Sequence, residues 1–166
     1  GILLSDWQLH CPICKTSFDW QSNTCQTGHS FAVIDGVLRF YTAEFGEKIS
    51  GFEVALASHR SSETRRRISD PQAFAELPFG AATGDDPEWR LRQYDLALLT
   101  KMLYGSENLA ILEIGAWNGW LSSHLSRAGH QVLAVDYFAD EFDGLAAKKY
   151  YNEEWTAVQM DIADIG

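Results

Sequence analysis

The sequence predicts a mixed α/β protein in three parts, and three observations carry that prediction. All three cysteines fall within a C-x2-C-x10-C-x3-H pattern between residues 11 and 29. Residues 43–108 show helical spacings and two Asp-Pro helix starts. Residues 109–136, LAILEIGAWNGWLSSHLSRAGHQVLAVD, read as a strand, a glycine turn, a helix and a second strand ending in an acid. Strands alternating with helices mark a parallel sheet with crossover helices.

Bulk properties narrow the class. The chain has 166 residues, 46% of them hydrophobic, which suits one ordinary domain or two small ones with a globular composition. A formal charge of -10 gives no general attraction to phosphate backbones, so nucleic acid is a disfavoured partner. No apolar run approaches the roughly 18 residues of a membrane span, and the N-terminus has no signal-peptide pattern. An odd, clustered set of cysteines suits a metal site in a reducing compartment, so a cytoplasmic protein is expected.

Residues 1–42 are expected to form a ribbon. Cys11 and Cys14, two residues apart, can fold around one tetrahedral metal as a knuckle, and Cys25 and His29 supply a second pair. Soft thiolates with one imidazole favour zinc. Four protein ligands fill the coordination sphere, so the zinc is expected to be structural. A piece of about forty residues buries too small a core to fold alone, and the metal would supply the missing free energy. His10 competes as a ligand, but it directly precedes Cys11 and would have to bend back sharply. The plainer alternative is three buried thiols without a metal. The run FAVIDGVLRF passes for two short strands around an Asp35-Gly36 turn.

Residues 43–108 are expected to be helical. Phe52, Ala55, Leu56 and His59 recur at helical spacing. Arg65, Arg66 and Arg67 read as a solvated face or an anion contact. Asp70-Pro71 and Asp86-Pro87 each pair an N-cap with a proline at the first helical position. The helix from about Pro87 to Tyr104 carries Leu91, Tyr94, Leu98 and Met102 on one stripe, with Gly105 as its stop.

From residue 109, LAILEI is a buried strand broken by Glu113, and the turn runs from Gly115 to Gly119. A helix follows with Leu121, Leu125 and Ala128 on one side, and QVLAV then leads to Asp136. A glycine between strand and helix lets a ligand approach the backbone, and an acid about 20 residues on can chelate a ribose diol. The spacing is G-x-x-x-G, not the dinucleotide G-x-G-x-x-G. Glu113 at the mouth of the turn would repel a pyrophosphate and welcome an ammonium or a sulfonium. Charge alone therefore favours S-adenosylmethionine over NAD.

The pattern E-x-G-x-x-x-G followed by a strand-end acid resembles the class I S-adenosylmethionine-dependent methyltransferases. The order of ribbon and glycine turn is similar to a subgroup with an N-terminal zinc ribbon, and the C-x2-C…C-x3-H-x-F pattern is similar to the ribbon of bacterial 23S rRNA guanine methyltransferases. The resemblance implies that residues 109–166 are the N-terminal part of a Rossmann-like domain, three parallel strands with helices. It implies that Glu113, Gly115 and Gly119 line the methionine part of the cofactor and that Asp136 takes the ribose hydroxyls. Tyr137 or Phe138 would flank the adenine, Asp161 would accept from its amino group, and the backbone N–H of Ile162 would donate nearby. Trp117 departs from the pattern, which commonly has a small residue there, so its ring must point away from the cofactor. Trp89, Arg90, Arg92 and Tyr94 would help to close the site. The plainer roles are a helix-capping acid for Glu113, a strand-end turn residue for Asp136, and packing for Trp117 and Trp120.

The family sheet has seven strands and this chain supplies three after residue 109, so a truncated domain with an exposed sheet edge is expected, open to pairing with another chain. Catalytic residues are not assigned within it. The reading is a methyltransferase acting on a small molecule. The rivals are an rRNA base methyltransferase and a non-catalytic interaction module.

Overall fold

The computed structural model describes residues 7–62 and 68–165. The Arg65–Arg67 triplet lies outside the described residues. The ribbon begins with two short antiparallel strands, β1 (Phe18–Asp19) and β2 (Thr24–Cys25), with Phe18 opposite Cys25. Asp35 and Gly36 both adopt positive φ, 52° and 74°. That mirror-image turn matches the twist of the flanking strands, and it joins β3 (Val33–Ile34) to β4 (Val37–Arg39) in an antiparallel hairpin. Then follow α1 (Ala43–Ser62), α2 (Pro87–Met102), β5 (Ala110–Ile114), α3 (Trp120–Arg127), β6 (Gln131–Asp136) and β7 (Thr156–Gln159).

The molecule is mixed α/β, and its main sheet is mixed parallel and antiparallel. The order is β3-β4-β7-β6-β5, with β4, β7, β6 and β5 mutually parallel and only β3 reversed. The hairpin that sequence placed with the ribbon is thus half of the sheet's far side. β4 pairs with β7, Val37 against Ala157 and Arg39 against Gln159. Among the described residues no strand pairs with the outer side of β5, and Ile114 there is 54% exposed.

Side chains alternate across the sheet with period two, and each face has its own cover. Val37, Val132, Ala134 and Ala157 point to one face, where they meet Trp120 and Leu125 of α3, Leu145, Phe74 and Trp155. Leu38, Leu133, Val135 and Val158 point to the other, where Cys11, Cys25, Phe18, Phe31 and Phe40 cover them. The ribbon is therefore a layer of the fold. Phe18, Phe31 and Phe40 pack edge to face with centroids 4.8–6.0 Å apart.

The helices begin where their caps say. The Asp86 carboxylate accepts from the N–H of Glu88 at 2.9 Å, with Pro87 in the first turn. Asp70 does the same for Gln72 at 3.0 Å, but only a six-residue 3-10 segment, Pro71–Glu76, follows. Pro78 lies just beyond it and cannot continue a helix. The stripe read from α2 faces outward: Leu91, Tyr94, Leu98 and Met102 are exposed, while Trp89 is buried and Leu96, Leu99 and Leu103 pack inward. Both sides of α2 carry apolar residues at helical spacing, so periodicity could not choose between them. Trp89 decides, because it meets Trp117 and Trp120. No described side chain of α1 is buried. No described helix is long and apolar enough to cross a membrane.

Candidate functional site

Two sites emerge, one in the ribbon and one at the C-terminal ends of the parallel strands. In the ribbon, the ligand atoms of Cys11, Cys14, Cys25 and His29 all lie within 4.8 Å of one another. Cys14 Sγ is 3.6 Å from Cys25 Sγ, and His29 Nδ1 is 3.4 Å from Cys25 Sγ and 3.7 Å from Cys11 Sγ. Bonds of about 2.3 Å to sulfur and about 2.0 Å to nitrogen, set tetrahedrally, require edges of about 3.5–3.8 Å. The donor set fits, and this group could bind a metal ion such as zinc.

Local backbone shapes the two halves of the cluster. The Lys15 N–H donates to the Cys11 carbonyl at 2.8 Å with Lys15 at φ 63°, and the Gly28 N–H donates to the Cys25 carbonyl at 3.0 Å with Gly28 at φ 90°. His10 is instead in a backbone bridge to Ser17. The hydroxyls of Thr16 and Thr27 draw the Cys14 thiol down to about 7. Burial opposes ionisation of Cys25, but the hydroxyls of Thr27 and Thr16 and the backbone N–H groups of Thr27 and His29 outweigh it and bring the thiol to about 5. Burial pushes Cys11 up. Metal binding draws on the thiolate form, so two of the three thiols are already inclined toward it.

At the second site, the parallel topology brings Glu113, Gly115, Asp136, Tyr137, Phe138, Asp161 and Ile162 to one end of the sheet. The N–H groups of Gly115 and Ala116 donate to the Val135 carbonyl at 2.9 and 3.1 Å. The Trp117 N–H donates to Asp136 Oδ2 at 2.8 Å, and the Phe138 N–H to Oδ1 at 3.0 Å. Asp136 therefore ties the turn between β5 and α3 to the loop after β6. The two glycines do different work. Gly115, at φ 73°, is exposed and borders open space, with nothing within 4 Å of where a Cβ would sit. Gly119, at φ 79°, is buried, and a Cβ there would overlap the Trp155 ring. Gly119 thus serves packing, while Gly115 leaves backbone open to a ligand.

No family model and no curated protein matches this chain.

Glu113 lies on the helical face and accepts a hydrogen bond from the Ser122 hydroxyl. Burial pushes its carboxyl up to about 7; the Ser122 hydroxyl opposes the shift and the Asp136 charge adds to it. Asp161 Oδ1 accepts from the Ala163 N–H at 3.0 Å and caps the 3-10 turn that Ile162 begins. Tyr137 lies against Phe45 with centroids 6.0 Å apart, and Phe138 stacks on Phe52 at 5.7 Å and 22°. Trp117, at φ 54°, lies on Trp89 at 5.5 Å, and the Arg92 guanidinium sits 4.9 Å from its ring centroid. Its ring is thus committed to α2. Arg90 and Tyr94 face solvent and do not join the turn.

Sequence reasoning missed three residues here. Ser122 holds Glu113, and Ser123 accepts from Trp155 Nε1 at 3.0 Å. Two adjacent serines beside Trp120, Leu121 and Leu125 at the start of α3 were the available signal. Asn118 is fully buried; its Oδ1 accepts from the Trp120 N–H at 3.2 Å, and its Nδ2 has no partner among the described residues. A buried asparagine inside a glycine turn carries no distinctive spacing.

Proposed function

We propose that this chain is the cofactor-binding part of a class I, Rossmann-like S-adenosylmethionine-dependent methyltransferase with a structural zinc ribbon, acting on a small-molecule acceptor. The observation that carries the reading is the exposed backbone at Gly115, flanked by the carboxylates of Glu113 and Asp136 at the C-terminal ends of parallel strands. Ligands of open parallel sheets bind at that end. Two carboxylates repel phosphates and attract an ammonium or sulfonium, so the electrostatics favour this cofactor over a nucleotide phosphate. When bound, the cofactor supplies an electrophilic methyl group on a sulfonium.

The chain's own part is binding and orientation. Gly115 admits a ligand to its backbone. Asp136 keeps a free lone pair on each oxygen after accepting the two N–H groups, enough for a ribose diol. Glu113, half-held by Ser122, offers its other oxygen to a cationic group. The net charge of -10 favours a small acceptor over RNA. Calorimetric titration of the zinc-loaded chain with S-adenosylhomocysteine is the test. One-to-one binding that is lost in Asp136→Ala and Gly115→Val supports the reading; no binding to the folded, zinc-loaded chain overturns it.

A further inference from the structure

We propose that α1 is the second wall of the nucleobase pocket, with Phe52 and Phe45 closing on a base held against Phe138 and Tyr137. This rests on the cofactor reading above. A helix of 20 residues with no buried described side chain does not exist to fill a core. Phe45, Ile49, Phe52 and Leu56 fall on one face at i, i+4, i+7 and i+11. Two of these rings contact the body of the protein, at the two residues directly after Asp136. Tyr41 extends the row, 5.7 Å from Phe45.

The contact between Phe52 and Phe138 is not sealed into a core. Phe52 remains 59% exposed although it stacks on Phe138. The ring centroids are 5.7 Å apart at 22°, an ordinary offset stack, so a base enters between the rings only as their planes part toward about 7 Å, two stacking distances of about 3.5 Å. A small outward movement of α1 opens the slot. A helix with no buried described side chain moves at low cost. The Phe138 N–H is bonded to Asp136, so a ribose on that carboxylate delivers its base to the Phe138 ring. Glu44, Glu47 and Glu53 outnumber Lys48 along the helix from Ala43 to Glu53, a balance that suits a neutral nucleoside over a phosphorylated one. The occupant is thus the base of a nucleoside without a sugar phosphate, and on the cofactor reading that base is adenine.

Calorimetry of the zinc-loaded chain with adenosine and with S-adenosylhomocysteine tests this in three proteins: the parent, Phe52→Ala and Phe52→Tyr. Thermal melts confirm folding, which an exposed position tolerates. Loss of the ring should weaken both ligands by about tenfold or more, since base stacking on an aromatic side chain is of that order. Phe52→Tyr should restore binding to within about threefold. Equal affinity of parent and Phe52→Ala overturns the clamp and leaves the cofactor reading intact. Failure of tyrosine to restore an affinity lost in alanine overturns it too, because the contact is then structural. A folded parent that binds neither ligand overturns clamp and cofactor reading together.

Discussion

The carboxylate of Asp136 holds the backbone N–H of Trp117 at 2.8 Å, joining the end of one strand to the turn that follows its neighbour. The same carboxylate holds Phe138 at 3.0 Å. An acid that sequence assigns to a ligand is thus first a brace between the Gly115–Gly119 turn and the loop after β6. Hydrogen bonds to charged groups contribute about 1.5–3 kcal/mol each. With two such bonds lost, Asp136→Ala should lower unfolding free energy by about 3–6 kcal/mol in urea titrations, besides abolishing cofactor binding. Asp136→Asn keeps one acceptor and turns an amide N–H toward the other donor, so it should fall nearly as far. An unchanged unfolding midpoint in both would dismiss the brace.

Gly115 and Gly119 separate fold from function. Alanine at Gly115 meets open space and costs only the left-handed backbone strain, about 1–2 kcal/mol. Alanine at Gly119 drives a methyl into Trp155, whose Nε1 is anchored on Ser123. Overpacking of that kind adds about 1–3 kcal/mol to the same strain. Chemical denaturation should rank Gly119→Ala well below Gly115→Ala in stability. Calorimetry should find Gly115→Ala folded and impaired in cofactor binding. The reverse ranking would mean that Gly115, not Gly119, is the closely packed position.

Much of this arrangement was legible in local chemistry. The C-x2-C and C-x3-H pairs, the Asp35-Gly36 turn, the Asp86-Pro87 helix start and the order strand, glycine turn, helix, strand each depend on a few adjacent residues. The illegible parts are long-range. Nothing near Val37 announces that β4 runs beside β7, 120 residues away, because parallel pairing leaves no turn between partners. The outward stripe of α2 misled for a related reason: Leu91 and Leu98 have the right period, and only the distant Trp117 and Trp120 show which face is inside. The second task of Asp136 was hidden because its donor, Trp117, is 19 residues off.

Glu113 sets a pH dependence whose sign follows from its burial. Its carboxyl is raised from 4.5 to about 7 in the folded chain. The folded state therefore keeps a proton that the unfolded chain releases, and stability contributed by this group falls as pH rises from 4.5 through about 7. Glutamine carries no such penalty and still accepts from Ser122. Glu113→Gln should match or trail the parent at pH 5 and exceed it at pH 8 in urea unfolding. Cofactor affinity of the parent should rise over the same interval, because a cationic group prefers the ionised carboxylate, and that rise should vanish in the variant. A parent-to-variant stability difference that is flat with pH would mean that Glu113 is ionised throughout.

Metal removal should reach the cofactor turn through Val135. Its side chain lies in the cluster with Cys11, Cys25, Phe18 and Phe31 on the ribbon face, while its carbonyl accepts the N–H groups of Gly115 and Ala116. On the reading of a structural metal, the ribbon that covers Leu133, Val135 and Val158 would draw its order from the four ligands, since so small a layer buries too little to hold itself. Chelation, or Cys14→Ser, should lower the melting temperature and speed amide exchange at Gly115 and Ala116. The effect at Arg90, bonded to the Asp86 carbonyl on the opposite layer, should be smaller. Affinity for S-adenosylhomocysteine should fall with the metal, although no ligand atom of the cluster reaches the turn. Unchanged exchange at Gly115 after the ribbon has melted would mean that the sheet face tolerates exposure and that the two sites are independent.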